Sequence, residues 1–224
     1  MNVRLVSIVI PTYNEEKTIA HVIRGVRKQL KDYRHEIIVV DKPGKDRTAQ
    51  IAKSLGARVL YDKVGKGSAL VKGLKAAKGS VIVSMDADLS NEVRELPLLI
   101  DGIAIGYDIC MGSRFITGGG TEDMPFFRRF GNKVFVTLVN IIFGANYSDM
   151  CYGYRSFRKG VVERLSLKEK GFGIETEINI KAAKKKLKVL EIPSNEKKRN
   201  AGEGKLRTFH DGWVILKAIF ANIA

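Results

Sequence analysis

The chain has 224 residues, 45% hydrophobic and 28% charged, a balance that excludes a disordered segment and suits one large α/β domain. Its 39 Lys and Arg against 24 Asp and Glu give a net charge of +15, which predicts attraction to polyanions: nucleic acid, nucleotide phosphates or an anionic membrane face. The two cysteines, Cys110 and Cys151, show no CxxC or Cys/His spacing, which argues against a zinc site and excludes a disulfide framework. No run reaches the roughly 18 consecutive apolar residues that cross a bilayer, and the opening Met1-Asn2-Val3-Arg4-Leu5 lacks the apolar stretch of a signal peptide. A soluble or membrane-surface protein is expected.

The first hundred residues alternate strand-like and helix-like runs. A β-branched run over 5–10 is ended by Pro11, and Asn14-Glu15-Glu16 then opens an apolar pattern of helical period over 19–30. Strands are predicted at 36–40, 57–61 and 81–85, and helices at 46–55, 68–77 and 92–106. A fifth strand is expected at 107–111. Continuous hydrophobic strands, each followed by one helix, predict a doubly wound, mostly parallel sheet covered on both faces from about 4 to 112. After Gly118-Gly119-Gly120 the chain turns aromatic and basic. Helices are predicted at 127–143 and 174–186, a strand at 189–192, and an amphipathic C-terminal helix over 208–224.

Ligands of such sheets bind beyond the carboxyl ends of the strands, where Pro11, Asp41 and Asp86 fall. Asp86-Ala87-Asp88 places two carboxylates at a strand end, and hard oxygen ligands of this kind suit Mg²⁺ or Mn²⁺ with substrate phosphates completing the shell. Gly65-Lys66-Gly67-Ser68 fails the Walker pattern, since position 61 is Tyr and the lysine precedes the glycine. It reads instead as a helix start whose N–H groups and lysine face an anion. His21, His35 and His210 show no ligand spacing.

These motifs form an ordered series: Ile8-Val9-Ile10-Pro11-Thr12-Tyr13-Asn14-Glu15, Ile38-Val39-Val40-Asp41, the Gly65 stretch and Asp86-Ala87-Asp88. Gly112-Ser113-Arg114-Phe115, Arg128-Arg129-Phe130-Gly131-Asn132, Asp149-Met150-Cys151-Tyr152-Gly153-Tyr154-Arg155 and Gly202-Glu203-Gly204-Lys205-Leu206 follow. The series resembles the family-2 inverting glycosyltransferases, most closely the polyprenyl (dolichyl) phosphate mannosyl- and glucosyltransferase branch.

The resemblance implies a GT-A fold and a GDP- or UDP-linked sugar donor. Pro11, Tyr13, Glu15 and Asp41 would hold base and ribose, Lys66 the diphosphate, and Asp86 and Asp88 the divalent ion. It implies that Arg114 and Arg128 grip an acceptor phosphate, which needs no strong base, and that Arg199 and Lys205 belong to a loop closing over the diphosphates. For a hydroxyl acceptor a base would be needed, and Asp149 is the candidate by motif position, with Glu175 or Glu177 behind it; a structural role for Asp149 stays open. Two departures stand out. Lys42 occupies the position of the family's base-reading carboxylate, and Asn132 stands where the branch often has serine.

The chain thus reads as a donor half, about 4–112, and a basic acceptor half, about 113–224. Ten Lys/Arg against three Glu between 181 and 207, beside the amphipathic tail, suit an anionic membrane surface at the cytoplasmic face. Nucleic-acid binding is suggested by net charge alone and is not expected.

Overall fold

The computed structural model describes residues 3–198 and 208–223, with side chains from 212 onward in the second segment. Seven strands form one sheet: β1 (Val6–Thr12), β2 (His35–Asp41), β3 (Arg58–Tyr61), β4 (Val81–Ser84), β5 (Ile109–Ser113), β7 (Arg155–Arg158) and β8 (Val189–Pro193). Their order is β3-β2-β1-β4-β7-β5-β8, all parallel except β7, which runs antiparallel between β4 and β5. A two-stranded parallel pair, β6 (Gly120–Thr121) with β9 (Asn195–Glu196), lies outside it. The helices are α1 (Ile19–Gln29), α2 (Thr48–Ser54), α3 (Lys66–Ala76), α4 (Leu96–Ala104), α5 (Phe126–Phe143), α6 (Lys159–Leu165), α7 (Ile174–Lys184) and α8 (Thr208–Ala221).

Strand alternation sends side chains to two cores. Val6, Ile8, Ile10, Ile37, Val39, Val81 and Val83 join the cluster under α1, α2 and α4. Val9, Ile38, Val40 and Ile82 join the one under α3, α6 and α7. Both faces are covered, so these strands have no polar side, as their near-continuous apolar runs predict. A third cluster, including Met111, Val139, Met150, Ile180, Ile215 and Ile219, ties α5, α7 and α8 together.

The expected mostly parallel α/β sheet is present, with three differences. First, β1 continues through Pro11 to Thr12. At that end it pairs only with β2, because its ladder with β4 stops at Val9, so the missing proline N–H leaves no gap. Second, Glu15 and Glu16 do not start α1. They sit in the turn before it, where Asn14 has φ 55°, and their amides donate to Thr48 Oγ1 (2.8 Å) and Asp46 Oδ2 (3.0 Å). Third, β7 and α6 were not expected. Arg155-Ser156-Phe157-Arg158 carries two arginines and lacks a strand's usual apolar run, yet three of its residues are buried.

Helix α3 lies close on the sheet. A Cβ on Gly73 would stand 2.9 Å from Val40 Cγ2 and closer still to Val9 Cγ1. Gly73→Ala should therefore destabilise the fold by about 1–2 kcal/mol, the overpacking strain outrunning a helix-propensity gain of up to ~1 kcal/mol. Urea unfolding of the variant measures this; an unchanged midpoint would contradict the packing.

Candidate active site

The carboxyl ends of β1, β2 and β4 meet where the sequence placed the ligand. Thr12 lies opposite Asp41 in the β1–β2 register, and Thr12 Oγ1 donates to Asp41 Oδ1 at 2.7 Å. Burial raises the Asp41 carboxyl above its ordinary pKa, with Thr12 opposing the shift and Asp46 adding to it. Lys42 places its ammonium 5.3 Å from the centre of the Tyr13 ring, a cation–π distance. Asp46 binds the Glu16 amide, the Thr48 amide (3.1 Å) and the Thr48 hydroxyl (2.8 Å), so it joins the turn after β1 to the start of α2. A surface cavity of about 330 Å³ is lined by Asn14, Glu15, Thr18, Lys45 and Asp46.

Asp86 follows β4. Its amide donates to Asn91 Oδ1 at 2.7 Å, and Ser90 N donates to Asp88 Oδ1 at 3.1 Å, so the Asp86–Asn91 turn is closed by its own side chains. Lys66 Nζ stands 3.0 Å from Asp86 Oδ1 and 3.0 Å from Glu175 Oε1. Burial alone would lower the Lys66 pKa, but Asp86 and Glu175 outweigh it and hold the ammonium above its ordinary value. Asp62 sets the approach to this lysine by accepting from Val64 N (2.9 Å) and Ser68 Oγ (2.8 Å). The start of α3 is less open than expected, because Ser68 N donates to Lys170 O at 3.2 Å. Gly65 and Gly67 permit this approach: a Cβ on either would lie under 3.0 Å from the 169–171 backbone.

Arg114 and Asp149 come together, but in the interior. Arg114 Nε and Nη2 bind the two Asp149 oxygens at 2.7 and 2.9 Å, while Nη1 reaches Glu196 at 3.0 and 3.1 Å. The guanidinium also stacks 4.7 Å from the Tyr152 ring centre. Its side chain is 3% exposed and that of Asp149 is 0%. This arrangement favours the structural role left open for Asp149. Asp149 has no surface from which to reach a substrate proton, and the donors of Arg114 are engaged with carboxylates rather than presented to a phosphate. Asn132 is likewise inward, accepting from Met150 N at 3.0 Å, and Glu177 accepts from the Lys168 and Glu169 amides.

Tyr152 links the two regions. Asn91 Nδ2 and Ser194 Oγ both donate to its hydroxyl at 3.2 Å, so the Asp86 turn and the Arg114 cluster share one buried ring. Arg128 is half-buried and Arg129 exposed at the start of α5. Arg129 holds the preceding loop through Met124 O and Thr121 O, both at 3.0 Å. Arg199 and Lys205 lie outside the described residues. His21 is exposed and His35 half-buried, its Nδ1 2.9 Å from Tyr33 O. Both cysteines are free. Sequence reasoning missed Glu196 and Glu191 here, and Tyr152 entered only as part of the 149–155 motif. Glu191 accepts the Ser148 and Asp149 amides.

Among the described residues no three His, Cys, Asp or Glu side chains converge as a ready-made metal cage. An all-oxygen pair with substrate phosphates completing the shell is the arrangement Mg²⁺ and Mn²⁺ ordinarily take, and the positive charge already drawn to Asp86 shows that this carboxylate attracts a cation. The Asp86–Asp88 pair fits such an ion.

Residues 7–166 match glycosyl transferase family 2. The chain belongs to that family. It is a glycosyltransferase with the GT-A type of α/β fold. It is 34% identical over 214 residues to the dolichyl-phosphate hexose transferase of Haloferax volcanii, covering 95% of this chain and 91% of that one. It is 36% identical to the dolichol-phosphate mannosyltransferase of Pyrococcus furiosus over 90% of its own length, but spans only 59% of that relative. Among solved structures, glucosyl-3-phosphoglycerate synthase of Mycobacterium tuberculosis in complex with Mn²⁺, UDP and phosphoglyceric acid superposes with a TM-score of 0.78 at 20% identity, over 99% of this chain and 79% of that one. No helix among the described residues is long and apolar enough to cross a membrane.

Proposed function

We propose that this glycosyltransferase moves a hexose, with inversion, from a nucleotide-diphosphate sugar to a polyprenyl phosphate. Residues 4–112 serve the donor and 113–224 the acceptor. Pro11, Tyr13, Glu15 and Asp41 border base and ribose, and Lys66 adds positive charge near the diphosphate. Asp86 and Asp88 would hold Mg²⁺ or Mn²⁺, which when bound neutralises charge gathering on the departing nucleoside diphosphate. Relatives named as dolichyl-phosphate transferases support the acceptor class, and the Mn²⁺–UDP complex of a structural neighbour supports the donor chemistry.

The observation that carries the acceptor reading is the burial of Asp149. A hydroxyl acceptor needs a base, and this carboxylate is closed off by Arg114. A phosphate acceptor is already an anion and needs only to be oriented. Arg128 supplies a cation at the N-terminal turn of α5, where Phe126, Phe127 and Phe130 are 76%, 78% and 62% exposed. Cations beside exposed aromatics suit an amphiphile with a charged head and an apolar tail. Exposed Trp213 and Phe220 on α8 extend that character toward a peripheral site on an anionic, cytoplasmic membrane face. Arg199 and Lys205 remain assigned to the diphosphates by motif.

Incubation with labelled UDP- and GDP-hexoses, Mn²⁺ and a polyprenyl phosphate should yield an organic-extractable labelled lipid. Arg128→Ala should cut that yield by about one to two orders of magnitude, the worth of a charge-assisted contact. Absence of product with every donor, or transfer to free saccharides untouched by Arg128→Ala, would overturn the reading.

A further inference from the structure

The position of Lys66 is costly for folding alone. It is the first residue of α3, where the helix dipole disfavours a cation, and burial disfavours its charge as well. Yet the chain builds a socket for it. Asp86 comes from the end of β4 and Glu175, 5% exposed, from the first turn of α7, while Asp62 fixes the loop that delivers the lysine. Gly153 closes the floor. A Cβ there would stand 3.3 Å from Asp86 Oδ2, 3.3 Å from Glu175 Oε1 and 3.4 Å from Lys66 Nζ, so the three charged groups converge on one point of backbone. About a quarter of the Lys66 and Asp86 side chains remains open to solvent.

Without the ammonium, Asp86 and neighbouring Asp88 would present two uncompensated carboxylates to solvent cations. With it, one of the two oxygens of Asp86 already faces a positive charge at contact distance. We infer that Lys66 is a tethered counter-cation, positioned by Glu175, that keeps the Asp86–Asp88 pair from taking up a divalent ion alone, so that the ion enters together with the nucleotide diphosphate. The inference rests on the donor reading above and adds an order of binding to it. Glu175 is here a positioning residue: it acts on the ion site only through the lysine.

The test is uptake of Mn²⁺ by the nucleotide-free protein, read as loss of the free-ion EPR signal. Wild type should bind weakly, and UDP or GDP should restore uptake. Lys66→Met and Lys66→Gln should each bind Mn²⁺ at least about tenfold more tightly than wild type without nucleotide, the fold-change of ~1.4 kcal/mol of relieved repulsion. Adding Asp86→Asn to Lys66→Met should remove most of the gain, whereas adding Glu175→Gln should leave it nearly unchanged, since Glu175 acts only through the lysine. Circular dichroism and thermal unfolding confirm that each variant is folded. Folded lysine variants that bind no more tightly than wild type, or a gain that survives Asp86→Asn, would overturn the inference. Wild type that fails to take up Mn²⁺ even when UDP or GDP is present would instead sink the donor reading, so the two failures are distinct.

Discussion

Arg114→Met is expected to be the most destabilising single change in this chain, at about 3–5 kcal/mol. The substitution leaves the Asp149 carboxylate wholly buried and without its bidentate partner. Glu196 loses the same partner while keeping Thr121, whose hydroxyl lies 2.5 Å away. A loss of this size is a large share of the ~5–15 kcal/mol that holds a typical domain together. The double variant Arg114→Met/Asp149→Leu should recover much of it, because removing both charges also removes their desolvation cost. Chemical denaturation of the three proteins measures the cycle. If Arg114→Met costs under ~1 kcal/mol, the bridge is solvent-reached and Asp149 returns as a candidate base. The same cycle separates folding from turnover: a folded double variant that still transfers sugar would assign both residues to the frame of the site.

Asp88→Asn should lower kcat/KM by about two to four orders of magnitude with little effect on stability, the scale on which a lost metal ligand reduces transition-state stabilisation. The stability claim follows from its setting. Asp88 is half-buried at the end of the sheet and closes a local turn through Ser90 N, a role an amide oxygen can also fill. Asp86→Asn should cost similar activity, and in addition it weakens the contact with Lys66. Steady-state kinetics at rising Mn²⁺ concentration check this, with partial rescue expected for Asp88→Asn. Activity unaffected by either change would remove the carboxylate pair from the mechanism.

The carboxyl edge of the sheet was legible because it is local. A run such as Ile37-Ile38-Val39-Val40 reads as a buried strand, and the residue that follows it, Asp41, must sit at the strand's end whatever the rest of the fold does. The same holds for Asp86 after β4. Helices α1, α3, α5 and α7 were legible from their apolar period, to within a few residues at either end. Strand β7 was not, because its arginines are satisfied by partners far along the chain: Arg155 Nη1 donates to Asn179 Oδ1 at 2.8 Å and Arg158 Nη2 to Tyr107 O at 3.2 Å. No composition rule identifies a buried arginine before its acceptors are in place. Asp149 shows the limit most clearly. Its motif position suggested substrate contact, whereas its partner, 35 residues earlier, turns it inward.

By itself, then, the amino-acid order determined the alternation of strands and helices, the two-faced apolar sheet and the line of polar residues at its carboxyl edge, since each depends on neighbours within a few positions. Tertiary structure alone decided which charges meet: Lys66 with Asp86 and Glu175, Arg114 with Asp149 and Glu196. The physical reason is that an ion pair is worth something only at contact distance and out of water, and that distance is set by the packing of whole elements rather than by spacing along the chain.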